Sequence, residues 1–111
     1  MNLRKADDFI ADVDRQFEWY VLNADWETAD RYLATVEATC ALLGKHPFLG
    51  PRLKSKHPRL QDWRFFVLFR PFNKHIVFYE LVADELVMRR SMHGNRDLQR
   101  RLTEPPPTEQ A

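Results

Sequence analysis

The spacing of apolar residues changes once along this chain, from helical before residue 44 to alternating after residue 62, and nothing else constrains the fold as much. Phe9, Ile10, Val13, Phe17, Tyr20 and Val21 recur at steps of three and four. Asp12, Asp14, Arg15 and Glu18 fill the other face, so residues 7–23 are expected to form an amphipathic helix. Asp7 or Asp8 can cap its start. Asn23-Ala24-Asp25 is a short break, with Asp25 placed to cap a second helix. That helix runs to about Leu43 on a stripe of Ala29, Tyr32, Leu33, Val36, Cys40 and Leu43. Gly44 suits the left-handed position just past its end, and Pro47 follows soon after. So short a connection makes the two helices antiparallel neighbours.

Residues 45–62 hold Pro47, Gly50, Pro51 and Pro58 with five basic residues, which reads as an ordered, irregular loop. Trp63 to Arg70 then alternate as a strand with two largely apolar faces. Pro71-Phe72-Asn73-Lys74 is turn-like, and His75 to Val82 form a second strand. Ala83-Asp84-Glu85 turns again, and Leu86 to Met92 form a third. Strands joined by such short turns make an antiparallel meander. Asp97 to Leu102 can add one helical turn. A sheet must bury a face, and the helical hairpin is the available cover. The expected fold class is therefore α+β, an N-terminal α-helical hairpin on a small antiparallel sheet. A single domain spans 1–102, and the Pro-rich tail 103–111 is expected to be disordered.

The net charge of +1 averages two opposed halves. Residues 1–44 carry four Lys/Arg against nine Asp/Glu, residues 45–102 thirteen against five, and the tail two further glutamates. Such segregation points to an anionic partner for the basic half, or to halves that complement each other within the fold. No apolar run approaches a membrane span, and residues 1–8 have no secretory signal character. The chain reads as a cytoplasmic protein with no membrane partner. One cysteine, Cys40, excludes an internal disulfide, and its place on the helix stripe makes it a small core residue. His46, His57 and His75 lack metal-ligand spacing, so no metal is expected. The three glycines are isolated, so there is no phosphate loop and no cofactor is expected.

Several pieces, in order, resemble the RelE/ParE superfamily of bacterial toxins. They are Leu43-Gly44-Lys45-His46-Pro47-Phe48-Leu49-Gly50-Pro51-Arg52, the strand Trp63-Arg64-Phe65-Phe66-Val67, then Ile76-Val77-Phe78-Tyr79-Glu80, and the closing His93-Gly94-Asn95-Arg96-Asp97. The resemblance covers roughly residues 5–102. Met1 to Lys5 departs from the family pattern, which opens with an apolar strand, because it offers only Leu3 in that role. The resemblance implies the toxin of a type II toxin–antitoxin pair, in a hetero-oligomer with a cognate antitoxin. Its ParE branch, which the His-Gly-x-Arg-Asp ending of His93, Gly94, Arg96 and Asp97 favours, acts on DNA gyrase without nuclease activity. Its RelE branch cleaves mRNA on the ribosome without a metal. A non-toxic interaction module is the third reading.

Cleaving RNA requires a general base, a general acid and cations converging on one concave face. Arg64 and Arg89 can supply cations, and His93 and Glu80 are the acid–base candidates. The last strand ends Ser91-Met92-His93-Gly94 with no aromatic nearby, unlike RelE-branch members, so whether the protein is an enzyme stays open, with the balance against it. His93, Arg96 and Asp97 have structural roles available as strand closure. For partner docking the candidates are Arg52, Lys54, Lys56, Arg64 and Arg70, whose cations suit carboxylate or phosphate. Trp19, Tyr20, Trp26 and Tyr32 are candidate aromatic anchors. Core packing is the expected role of Tyr32, while Trp26 fits either role.

Overall fold

A computed structural model of the chain describes residues 1–94 and 98–106. In chain order it contains β1 (Asn2–Lys5), α1 (Asp7–Asn23), α2 (Trp26–Lys45), a 3₁₀ turn (Pro58–Leu60), β2 (Trp63–Val67), β3 (His75–Val82), β4 (Glu85–His93) and α3 (Leu98–Leu102). The helical hairpin and the β2-β3-β4 meander follow the periodicity. The sheet differs from the expected three strands: it has four, in the order β1-β4-β3-β2, with β1 parallel to β4. It is therefore mixed. The segment 2–5 carries little apolar signal because Leu3 is its one apolar side chain on the helix-facing side, which it shares with Lys5, paired to Glu37 of α2, while Arg4 pairs with Glu85 at 2.9 Å across the strand pair.

Several boundaries also move. The α1 cap is Ala6, whose N–H bonds to Met88 O at 2.9 Å, so the chain leaves β1 straight into the helix. Asp7 and Asp8 are not the cap; they sit in the first turn, where their charges favour the positive helix end. Asp25 caps α2 as expected, accepting from Thr28 N at 2.7 Å. Hydrogen bonds from Thr28 hold its carboxyl below the usual range. The helix runs on through Gly44 to Lys45, and His46 still donates to Leu42 O. Pro47 sets the stop, because a residue before proline avoids the helical region, and His46 has φ −132° and ψ 71°. The expected strand 63–70 ends at Val67, since Leu68 and Phe72 both turn into the core and Phe72 N closes a turn on Phe69 O.

Two apolar layers result. Phe9, Val13, Tyr32, Val36, Cys40 and Leu43 of the hairpin pack on Val77, Tyr79, Leu86 and Met88, with Leu68 and Phe72 at one end. Each such side chain contributes about 1.5–3 kcal/mol when fully buried. On the opposite face Trp63, Phe78 and Met92 are covered by Leu60 of the 3₁₀ turn and Leu102 of α3. Burial raises the Cys40 thiol to about 11, consistent with its core position. Asn95, Arg96, Asp97 and residues 107–111 lie outside the described residues, so those parts of the closing motif and the tail expectation do too. Thr103–Pro106 are described, and the Glu104 carbonyl accepts from the Arg90 guanidinium.

Candidate functional site

Asp12 was expected on the polar face of α1, yet it is 2% exposed. The reason is the length of β1, which pairs with Glu85–Met88 only and leaves the edge of β4 without a strand beyond that point. Asp12 takes over there. Its Oδ2 accepts from Ser91 N at 2.9 Å and from Arg90 Nε at 2.7 Å, and its Oδ1 accepts from Arg90 Nη2 at 3.1 Å. A shift of register between Phe78 and Tyr79 sets Tyr79 opposite Met88 and Phe78 opposite Arg90, so Arg89 is the extra residue of a β-bulge. Arg90 Nη1 then reaches the carbonyls of Arg101 and Glu104, tying the end of α3 to the sheet. Sequence reasoning missed this pair. The available signal was an aspartate between Phe9 and Val13, beside an arginine inside an apolar strand.

The four nuclease candidates do not converge. Arg64 is opposite Tyr79 and Glu80 is opposite Trp63, which places them on opposite faces of the sheet. Glu80 is occupied by an ion pair with Arg89, whose Nε lies 2.8 Å away. Arg64 is occupied as well: its Nη1 donates to Gly50 O at 2.8 Å, and its guanidinium sits 5.1 Å over the Phe48 ring. His93 is exposed, at the rim of an open cleft of about 560 Å³ lined by Val67, Asn73, Lys74, Ile76 and Gly94. Its ring meets that of His75 edge-on at 4.7 Å. His75 is buried, and its Nε2 shares a hydrogen bond of 2.8 Å with the Tyr20 hydroxyl. Burial, with the neighbouring His93 adding to it, pushes the His75 imidazole down to about 4. Gly94 has φ +84°, a left-handed conformation natural to glycine.

The docking candidates separate into two regions. The basic loop is built on Tyr79, whose hydroxyl donates to Pro47 O at 2.8 Å and accepts from Gly50 N at 3.0 Å. A Cβ on Gly50 would lie 2.3 Å from Phe65 O, so only glycine fits there. The loop then runs beside β2, with Leu53 N on Trp63 O and Phe65 N on Pro51 O. It leaves Arg52, Lys54 and Lys56 exposed, Arg52 in a surface pair with Asp62 at 3.1 Å. Lys54 and Lys56 line an open depression with His57 and Gln99. Arg70 is exposed in the β2–β3 connection. At the other end of α2, Trp19 and Trp26 both stand in solvent, so Trp26 is not a core residue, whereas Tyr32 is fully buried. Among the described residues no group of three His, Cys, Asp or Glu side chains could hold a metal. No described helix is long and apolar enough to cross a membrane.

A helical hairpin on one face of a mixed four-stranded sheet, with a pinned Pro-Gly loop at the hairpin's base, is the architecture of the RelE/ParE class of toxins. The model of the ParE toxin of type II toxin–antitoxin systems (parDE) matches residues 3–98, and the chain belongs to that family. Membership implies a cognate antitoxin as partner. A solved structure described as the chromosomal ParDE toxin–antitoxin system from P. aeruginosa shares the fold, with a TM-score of 0.71 at 19% identity over 86% of this chain and 97% of that one. No protein with curated function matches the chain.

Proposed function

We propose that this ParE-family toxin acts in the cytoplasm by inhibiting DNA gyrase and is held inactive by its cognate antitoxin. The observation that carries this reading is the family match over residues 3–98. Its support from geometry is that Glu80 and Arg89 neutralise each other on the face opposite Arg64, while Arg64 pins a loop. An acid, a base and a phosphorane-stabilising cation therefore have no common focus. The toxin works in this reading as a binding protein.

The test is expression of the chain alone from a tight promoter, following DNA and protein synthesis separately. DNA synthesis is expected to stop first, with filamentation, and purified protein is expected to block supercoiling by gyrase. Translation that stops within minutes with cleaved transcripts, while DNA synthesis continues, overturns the gyrase reading in favour of a ribosome-dependent nuclease. Unimpaired growth overturns toxicity altogether.

A further inference from the structure

Residues 45–61 hold Lys45, Arg52, Lys54, Lys56 and Arg59 without one carboxylate. Arg52 is engaged by Asp62, and Lys45 belongs to the end of α2. Three cations remain. Lys54, Lys56 and Arg59 are all exposed, and among the described residues none of them has a carboxylate within ion-pair distance. Their backbone is nevertheless fixed. Leu53 N donates to Trp63 O at 2.7 Å, and Gln99 Nε2 donates to Lys54 O at 2.8 Å. His57 N donates to Ser55 Oγ at 3.1 Å and Arg59 N to His57 Nδ1 at 3.2 Å, while Leu60 is buried with Trp63 and Phe78. Leu53 and Ser55 are half-buried where Lys54 and Lys56 are exposed, so the alternation sets both lysines on the outer side.

The surface they form is polar. Lys54, Ser55, Lys56, His57 and Gln99 line an open depression of about 650 Å³, with no apolar side chain among them. A disordered acidic peptide has to bury apolar surface to offset the entropy of its ordering, and this depression offers none. A nucleic-acid duplex arrives ordered, with one negative charge per about 1.7 Å of its axis, and needs only cations held in place. The rest of the molecule orients such a contact. α1 and α2 contain eight Asp and Glu against three Lys and Arg, and they cover the face of the sheet opposite Leu60. A polyanion is therefore repelled from the hairpin side and met by the loop. We propose that Lys54, Lys56 and Arg59 form a docking surface for the phosphodiester backbone of a nucleic-acid duplex. A contact with backbone alone carries no sequence preference. The inference is independent of the gyrase reading, since gyrase takes no part in its test.

Full-length protein from cell-free synthesis is titrated into fluorescein-labelled DNA and RNA duplexes of one sequence, and anisotropy is read from about 25 to 200 mM salt. Each neutralised phosphate contributes about 0.9 to the fall of log affinity with log salt, so three cations give a slope of about −3. Lys54→Gln combined with Lys56→Gln is expected to reduce that slope by about 2 and to weaken binding at least tenfold at the lowest salt. Arg31→Gln combined with Lys74→Gln removes the same charge from α2 and the β2–β3 connection, and the slope is expected to stay as in the parent. All four positions are exposed, and circular dichroism with urea midpoints checks that each variant folds. Both duplexes are expected to bind; binding confined to one supports the surface and names that nucleic acid as its source. No saturable binding at the lowest salt, or equal weakening by the two double variants, overturns the proposal. So does displacement of the duplex by oligoglutamate at equal total charge, which assigns the surface to an acidic protein.

Discussion

The face of the sheet under the helical hairpin is closed by long, regular elements: α1 and α2 bring Phe9, Val13, Tyr32, Val36 and Leu43 onto Val77, Tyr79, Leu86 and Met88. The opposite face is closed by scraps of structure, a three-residue 3₁₀ turn and a five-residue helix, each contributing one fully covered leucine. So short a helix has no stability of its own in water. It stays because Arg90 holds the carbonyls at its end while Asp12, across the edge of β4, holds Arg90. One side is secured by area and the other by a single buried polar clamp. A clamp of this kind ties two otherwise separate layers into one cooperative unit.

Removing one partner of the clamp is the strongest way to break that contrast. Arg90→Met leaves the buried Asp12 carboxylate with only the half-exposed Arg15 guanidinium, 3.9 Å away, and a loss of about 3 kcal/mol is expected by urea denaturation. Amide exchange should rise first around Leu98–Leu102. A cost below about 1 kcal/mol would mean that the second face holds itself.

The next effect belongs to the helical side. His75 is neutral when folded, with its imidazole lowered from 6.5 to about 4. Between those values the unfolded chain binds the extra proton, so stability is complete above pH 6.5 and falls as pH drops toward 4. The loss is about 3 kcal/mol in all. Urea midpoints measured from pH 7 to 4 should show this slope, and His75→Gln should flatten it; an unchanged slope in that variant assigns the titration elsewhere.

Gly50→Ala is expected to cost about 1–3 kcal/mol, since its methyl meets Phe65 O and the Tyr79 hydroxyl. The thermal midpoint reports this, and the sheet under the hairpin should stay protected while the loop loosens. Smallest is Tyr32→Phe. The Tyr32 hydroxyl is buried and makes no hydrogen bond of good geometry among the described residues, although the Ser91 side chain lies beside it. Its removal should leave stability unchanged or raise it by about 1 kcal/mol. A clear loss would reveal a partner for that hydroxyl.

The same contrast explains what was legible beforehand. The hairpin and the meander announce themselves through spacing, because their burial comes from repeated apolar positions. Asp12 reads as a solvent-facing acid since charge predicts exposure until a specific partner is known, and that partner is 78 positions away. The pairing of Glu80 with Arg89, and the separation of Glu80 from Arg64, depend on strand register and a bulge, which residue types alone do not encode. β1 stays hidden because a short edge strand needs only one inward apolar side chain. Trp19 and Trp26 fit both a core stripe and a surface ridge by composition, and the exposed tip of the hairpin decides it.

The parallel seam between β1 and β4 also has a meaning in time. Arg4 and Glu85 join residues 81 positions apart, the first strand waiting for the last. At about 5–20 residues per second, roughly 4–16 s of synthesis separate them. The growing chain carries β1 without a mate until β4 has been made.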